Sequence, residues 1–320
     1  MTAALPAADP LPAEVLAVVG RAAPALRELN DLKRVRTAGN PRSLAERAFL
    51  RSWARLAGGE DVRAVALEET AALVAAGRLG GVDAAVLQRA GLPVSGALGV
   101  LRRSFDELAG DLPARDELRA ALHGDVRRAP AAPPPGWALA LAEQPRAGAT
   151  RPGHARVVVE PPESHGDHCL VTAAYGCLLA PAVGADRADA FLLGLAHHLH
   201  NAVLPDSGFT GEVLLGDALE GVMARLEQEA LAELAAGLAD RVRRVLAARA
   251  DAATPLGRAF HAADVLDRVL QVHHHARAAA FTADQALVDL DLVHPGPVQG
   301  YQLDVLAAAG LGPGGGEGAA

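Results

Sequence analysis

Apolar residues recur at steps of three and four along most of this chain, and glycines and prolines mark where each run stops. The pattern predicts helices at about 13–29, 43–57, 60–77, 82–90, 94–109 and 114–123. Ser43 with Glu46 forms a capping box at the second of these, and Gly58-Gly59 closes it. From Arg127 to about Gly153 the periodicity gives way to prolines and glycines, which reads as a linker with semi-rigid stretches. Trp137 within it is expected to anchor against a neighbouring domain. A short extended segment, Arg156–Glu160, is cut off by Pro161-Pro162. Helical periodicity then resumes at 164–180, 186–201, 217–249 with a break near Gly237, and 256–280, with a glycine-rich loop at 205–216. The expectation is an all-α protein with a smaller helical domain over 1–125, a linker over 126–153, a second helical domain over 154–311 and a disordered tail over 312–320.

Composition agrees with an all-helical core. Apolar residues make up 51% of the 320 positions but aromatics only 3%, so Leu, Val and Ala must fill the interior. Ala and Leu are strong helix formers. A net charge of -8 with no basic block gives no electrostatic footprint for a nucleic-acid polymer. The N-terminal stretch does not read as a signal peptide, and no apolar run approaches the length of a membrane span. Cys169 and Cys177, eight residues apart on one predicted helix, are about 12 Å apart along its axis. That is too far for a disulfide, and buried free thiols fit a reducing cytoplasm.

Five of the twelve histidines fall between Glu163 and Asp206: His165, His168, His197, His198 and His200. Imidazole is the commonest protein metal ligand. Two adjacent histidines are costly to bury in a dry core, so His197-His198 points to chemistry. On the 256–280 helix, His261, Asp264, Arg268, Gln271 and His275 share one side, opposite Val265, Leu266, Val269 and Leu270. By periodicity alone that side is a solvated polar face; as a site wall it would offer Asp264 as a ligand. His273, His274 and His275 point in different directions and cannot all reach one ion. The run Asp31–Arg36 reads as a solvated face. The first half holds nothing with metal-ligand spacing, and is expected to dock on the second half or mediate self-association.

His168, the pair His197-His198 and Asp264, in this order and spacing, resemble the HD-domain metal-dependent phosphohydrolases, in particular the branch that includes the 5′-deoxynucleotidases. Gly166-Asp167-His168-Cys169-Leu170-Val171-Thr172-Ala173 is similar to the first helix of that branch, and Ala263-Asp264-Val265-Leu266 to the last-ligand context. The resemblance spans about residues 155–310. It implies an all-α HD-like bundle with a metal held by His168, His197, His198 and Asp264. Two positions depart from the family. His198 stands where the family has the paired aspartate, and Asn201 where it has an acid/base glutamate. Asn cannot take a proton from water near neutral pH; Asp206 or His200 could replace it, and so could His165. His165 and Asp167 are candidates for orienting the ligating rings, Arg156 and Arg268 for holding phosphate oxygens. A nitrogen-rich set suits manganese, cobalt, iron, nickel or zinc better than magnesium, and loss of the bridging aspartate implies one ion. The implied activity is hydrolysis of phosphate esters of small metabolites such as nucleotides. A non-catalytic HD-like metal- or ligand-binding module is the alternative, and an iron-dependent oxygenase the third reading.

Overall fold

A computed structural model describes residues 12–110, 112–126, 129–276 and 282–313. The tail expected at 312–320 falls almost wholly outside them, as does the expected helical stretch beyond Ala276. The first half of the chain carries α1 (Ala13–Asp31), α2 (Leu44–Ala57), α3 (Val62–Leu79), α4 (Ala84–Arg89), α5 (Val94–Ala109) and α6 (Arg115–Ala120). Then come α7 (Gly136–Glu143), α8 (His165–Leu179), α9 (Arg187–Ala196), α10 (Gly208–Leu215), α11 (Ala218–Leu231), α12 (Ala236–Ala247), α13 (Pro255–Ala276) and α14 (Gln299–Ala308). Only isolated bridges such as Ala149–Val157 break the helical pattern among the described residues, so the protein is all-α.

The axis of the fold is α8. All of its residues are buried, Cys169 and Cys177 among them as free thiols. A helix apolar on every side demands neighbours all round, and α1, α2, α3, α7, α9 and α13 all pack against it. Its start is fixed by a capping box in which Ser164 Oγ accepts from the Asp167 amide and Asp167 answers to the Ser164 amide. The Tyr175 hydroxyl donates to the Leu26 carbonyl and ties α8 to α1.

The two halves set apart in the sequence share one core. A single apolar cluster runs from Val15 on α1 through α3, α8, α9 and α13 to Leu311. The 126–153 stretch is folded into it: α7 forms there, and Trp137 meets Trp53 of α2 edge to face at 4.6 Å. The run Asp31–Arg36 departs from the solvated face expected of it. Lys33 is only 2% exposed, and Arg34 Nη1 donates to Gln271 Oε1 of α13 at 2.5 Å.

Two further differences bear on the site. The expected 186–201 helix ends at Ala196, and a 3-10 turn (Leu199–Ala202) follows. The expected 205–216 loop contains α10, whose two glycines, with Gly216 just after it, hide its periodicity. The break expected near Gly237 is present, between α11 and α12.

Gly194 sets the approach of α9 to α8. A Cβ there would lie 2.4 Å from Ala173 Cα and 2.5 Å from Ala173 N. Gly194→Ala must therefore push the helices apart, and overpacking of this kind costs about 1–3 kcal/mol. Denaturant unfolding is expected to show a loss in that range together with weakened metal binding, because Gly194 lies one turn before His197. An unchanged midpoint would refute this role.

Candidate metal centre

The capped first turn of α8 delivers His168, the end of α9 delivers His197 and His198, and the middle of α13 delivers Asp264 and Asp267. His168 Nε2 lies 3.0 Å from His197 Nε2 and 3.2 Å from Asp264 Oδ1, which is itself 4.0 Å from His197 Nε2. One nitrogen from each of His168, His197 and His198 fits within 4.8 Å of the others. Ligand bonds of about 2.0–2.1 Å hold tetrahedral donors about 3.3 Å apart. The cluster is already near that size.

The far side of each ring decides what its near side can do. His168 Nδ1 is 2.6 Å from Asp267 Oδ2, and His197 Nδ1 is 2.7 Å from the Gly194 carbonyl. His198 Nδ1 is 2.7 Å from Asn201 Oδ1, and Asn201 in turn donates its amide to the Leu204 carbonyl at 3.1 Å. All three partners are acceptors, so each neutral ring carries its proton on Nδ1 and keeps a lone pair on Nε2, which in His198 also faces Arg146 Nη1 at 3.5 Å. Three lone pairs and a carboxylate oxygen converging in a buried space repel one another unless positive charge sits between them. The donor set therefore fits a divalent transition ion.

Electrostatics keep the donors in ligating form. Burial holds His197 well below the ordinary imidazole range, and the adjoining His168 adds to this. Burial and the neighbouring His197 do the same for His198. For Asp264, burial works to raise the carboxyl, but Arg268 and His168 outweigh it and keep the group well below its usual value. Ligands must be deprotonated to bind metal. Rings that resist protonation are expected to keep their ion at about pH 5.5, below the ordinary imidazole value near 6.5. As pH falls through 6.5 the unfolded chain takes up protons that folded His197 and His198 refuse, so stability is full above that value and is lost with acid. Elemental analysis after dialysis at pH 5.5 and 7.5 tests this; half the metal lost by pH 6.5 would refute it.

Behind His168 lies a network that sequence reading did not single out. Lys33 Nζ is 2.6 Å from Asp267 and 2.7 Å from Glu163, and Asn30 Nδ2 donates to Asp267 Oδ1 at 3.0 Å. Burial works to raise the Asp267 carboxyl, yet Lys33 and His168 hold it down. Glu163, His168 and Asp267 form a second cluster of metal-ligand geometry, with the Lys33 ammonium within it.

The remaining candidates scatter. Asp167 points away from the centre, capping α8 and accepting from the Ser43 hydroxyl; burial and nearby Glu46 raise its carboxyl to about 7. Asp267 orients the His168 ring in its place. His165 Nδ1 meets the Gln144 carbonyl at 3.1 Å, and its ring lies edge-on to His198 with centroids 4.9 Å apart. Burial and Arg146 push it down to about 3. Arg156 is exposed and binds backbone carbonyls, with Nη1 donating to Ala147 at 2.9 Å.

Arg268, His200, Asn201 and Asp206 do line a cavity of about 290 Å³ that opens onto His197, His198 and Asp264. Arg146 and Arg249 line it as well. Their signal in the sequence was weak, because Arg146 lies in the Pro-rich stretch and Arg249 at the end of a long amphipathic run. The Asp206 carboxylate accepts from the amides of Ala147 at 2.9 Å and Gly208 at 2.8 Å. Burial opposes its charge, but Arg146 and these amides keep it below the usual carboxylate value. The chain matches no protein-family model, no curated protein and no solved structure. Among the described residues no helix is long and apolar enough to cross a membrane.

Proposed function

We propose that this chain is a divalent-metal-dependent hydrolase of small phosphate esters with a mononuclear, histidine-rich centre, in keeping with its resemblance to the HD-domain phosphohydrolases. The observation that carries the reading is the convergence of the His168, His197 and His198 lone pairs with Asp264 at a cavity walled by Arg146, Arg249 and Arg268. A bound divalent ion supplies Lewis-acid chemistry there, acidifying water and polarising a phosphoryl oxygen. The guanidinium groups provide planar, permanently charged donors for the other phosphate oxygens. Asp206, held ionised by Arg146 and two backbone amides, orients water as a fixed acceptor. His200 Nδ1 is 3.3 Å from Glu227, which leaves Nε2 as its uncommitted nitrogen for carrying a proton. The Lys33 ammonium in the second cluster favours one ion over two.

One observation favours a second reading, a metal-holding module without turnover. Asn201 is engaged at both ends of its amide and acts as a holder of His198, not as a base. Elemental analysis followed by assay of p-nitrophenyl phosphate and a broader ester panel, after loading with manganese, cobalt, iron or zinc, decides between them. About one equivalent of metal with turnover is the expected result. One equivalent without turnover on any ester selects the module, and no metal at all defeats both.

A further inference from the structure

The cavity wall contributed by Gly208–Met223 differs from the walls supplied by α9 and α13. Leu215, Leu219 and Met223 follow one another at four-residue spacing, and together with Phe209 they line the cavity. None of the four belongs to the apolar core, and no residue of α10 is buried. Large apolar side chains are stabilised by about 25 cal/mol for each Å² withdrawn from water. A segment that keeps four of them around one cavity, outside the core, leaves that gain to whatever fills the space. Leu290 and Leu292 line the same cavity, and Phe209 stacks on His294 with ring centroids 4.1 Å apart and planes at 17°. Because α11 packs on the Leu199–Ala202 turn, this wall begins beside His200 and Asn201. Gln302, only 5% exposed, also lines the cavity with its side-chain amide, while its backbone amide donates to the Val298 carbonyl.

We infer that the cavity takes a phosphate ester with a largely apolar body: the arginines and the metal centre receive the phosphate, and Phe209, Leu215, Leu219 and Met223 cover the body. The inference rests on the phosphate-ester reading for its anionic end, and on the withheld apolar side chains for the rest. Small-molecule sites have this composition, mostly apolar with a few placed polar groups, and usually span about 300–1,000 Å³. At about 290 Å³ the body is of the order of a six-carbon chain or a single ring. Gln302 is the polar contact left for a lone donor or acceptor on it.

The test uses the metal-loaded full chain and titration calorimetry with ethyl-, butyl- and hexylphosphonate, whose phosphorus–carbon bonds cannot be hydrolysed. Burial of about 0.8 kcal/mol per methylene predicts roughly threefold to fourfold tighter binding for each added carbon, and about a hundredfold from ethyl to hexyl. Leu219→Asn and Met223→Gln are expected to flatten the series while metal content stays at the wild-type level. A flat series in the wild type overturns the inference, as does a steep one that both variants retain. A rising series with no ester cleaved keeps the apolar pocket and removes the hydrolase. Cleavage of p-nitrophenyl phosphate with a flat series, or with no phosphonate bound, does the reverse, and neither phosphonate binding nor ester cleavage overturns both.

Discussion

His168→Ala is expected to leave the purified protein with less than a tenth of the metal held by the wild type, on the scale of about 10–100-fold or more lost when the ligand sphere is disturbed. His168 Nε2 sits between the other donors, 3.0 Å from His197 Nε2 and 3.2 Å from Asp264 Oδ1, so its loss removes the nitrogen that links them. Ester hydrolysis should fall with the metal. The variant also leaves Asp267 without one of its three partners in a wholly buried position, which adds a loss of stability independent of the ion. Elemental analysis and chelator competition read the first effect, and urea unfolding of metal-free protein reads the second. Wild-type metal content in His168→Ala would remove the centre as drawn. Full hydrolysis without metal would separate the chemistry from it.

Asp267→Ala is expected to be still more damaging to folding. The carboxylate is 0% exposed and binds Lys33, Asn30 and His168 at once. Removing one member of a buried charge pair costs about 3–5 kcal/mol, because the remaining charge keeps its desolvation penalty. Here the remaining charge is the Lys33 ammonium, left with Glu163 alone. The His168 ring also loses the acceptor that fixes its proton on Nδ1, so metal affinity should drop about 10–100-fold in whatever protein still folds. Lys33→Met should also destabilise, since Asp267 then keeps only His168 and Asn30, and Glu163 only Arg146 at 3.5 Å. Unfolding free energies from urea titration within about 1 kcal/mol of the wild type for both variants would contradict the network.

Local rules carried the sequence reading a long way, and its failures have physical causes. The Ser43–Glu46 capping box, the 94–109 helix and the α8 span were legible because their signals lie within a few residues of each other. His168, His197, His198 and Asp264 could be linked in advance only through their order and spacing, and the structure brings them together. Lys33 and Asn30 could not be found in this way. They lie 234 and 237 residues from Asp267, and a lysine within a charged run is ordinarily solvated. Asp267 escaped because it lies between the polar and apolar stripes assigned to α13. The short helix α10 escaped because eight residues with glycines at their start, middle and following position are too few to establish a period.

The ammonium lodged beneath His168 also decides whether the protein is divisible. Severing the chain early in the proline-rich stretch would take Lys33 away from Glu163 and Asp267 and uncover the flanks of α8 that α1, α2 and α3 now shield. The ligand-bearing portion is therefore no transplantable module. Any fusion, duplication or domain exchange that preserves the metal centre has to carry the first helix with it.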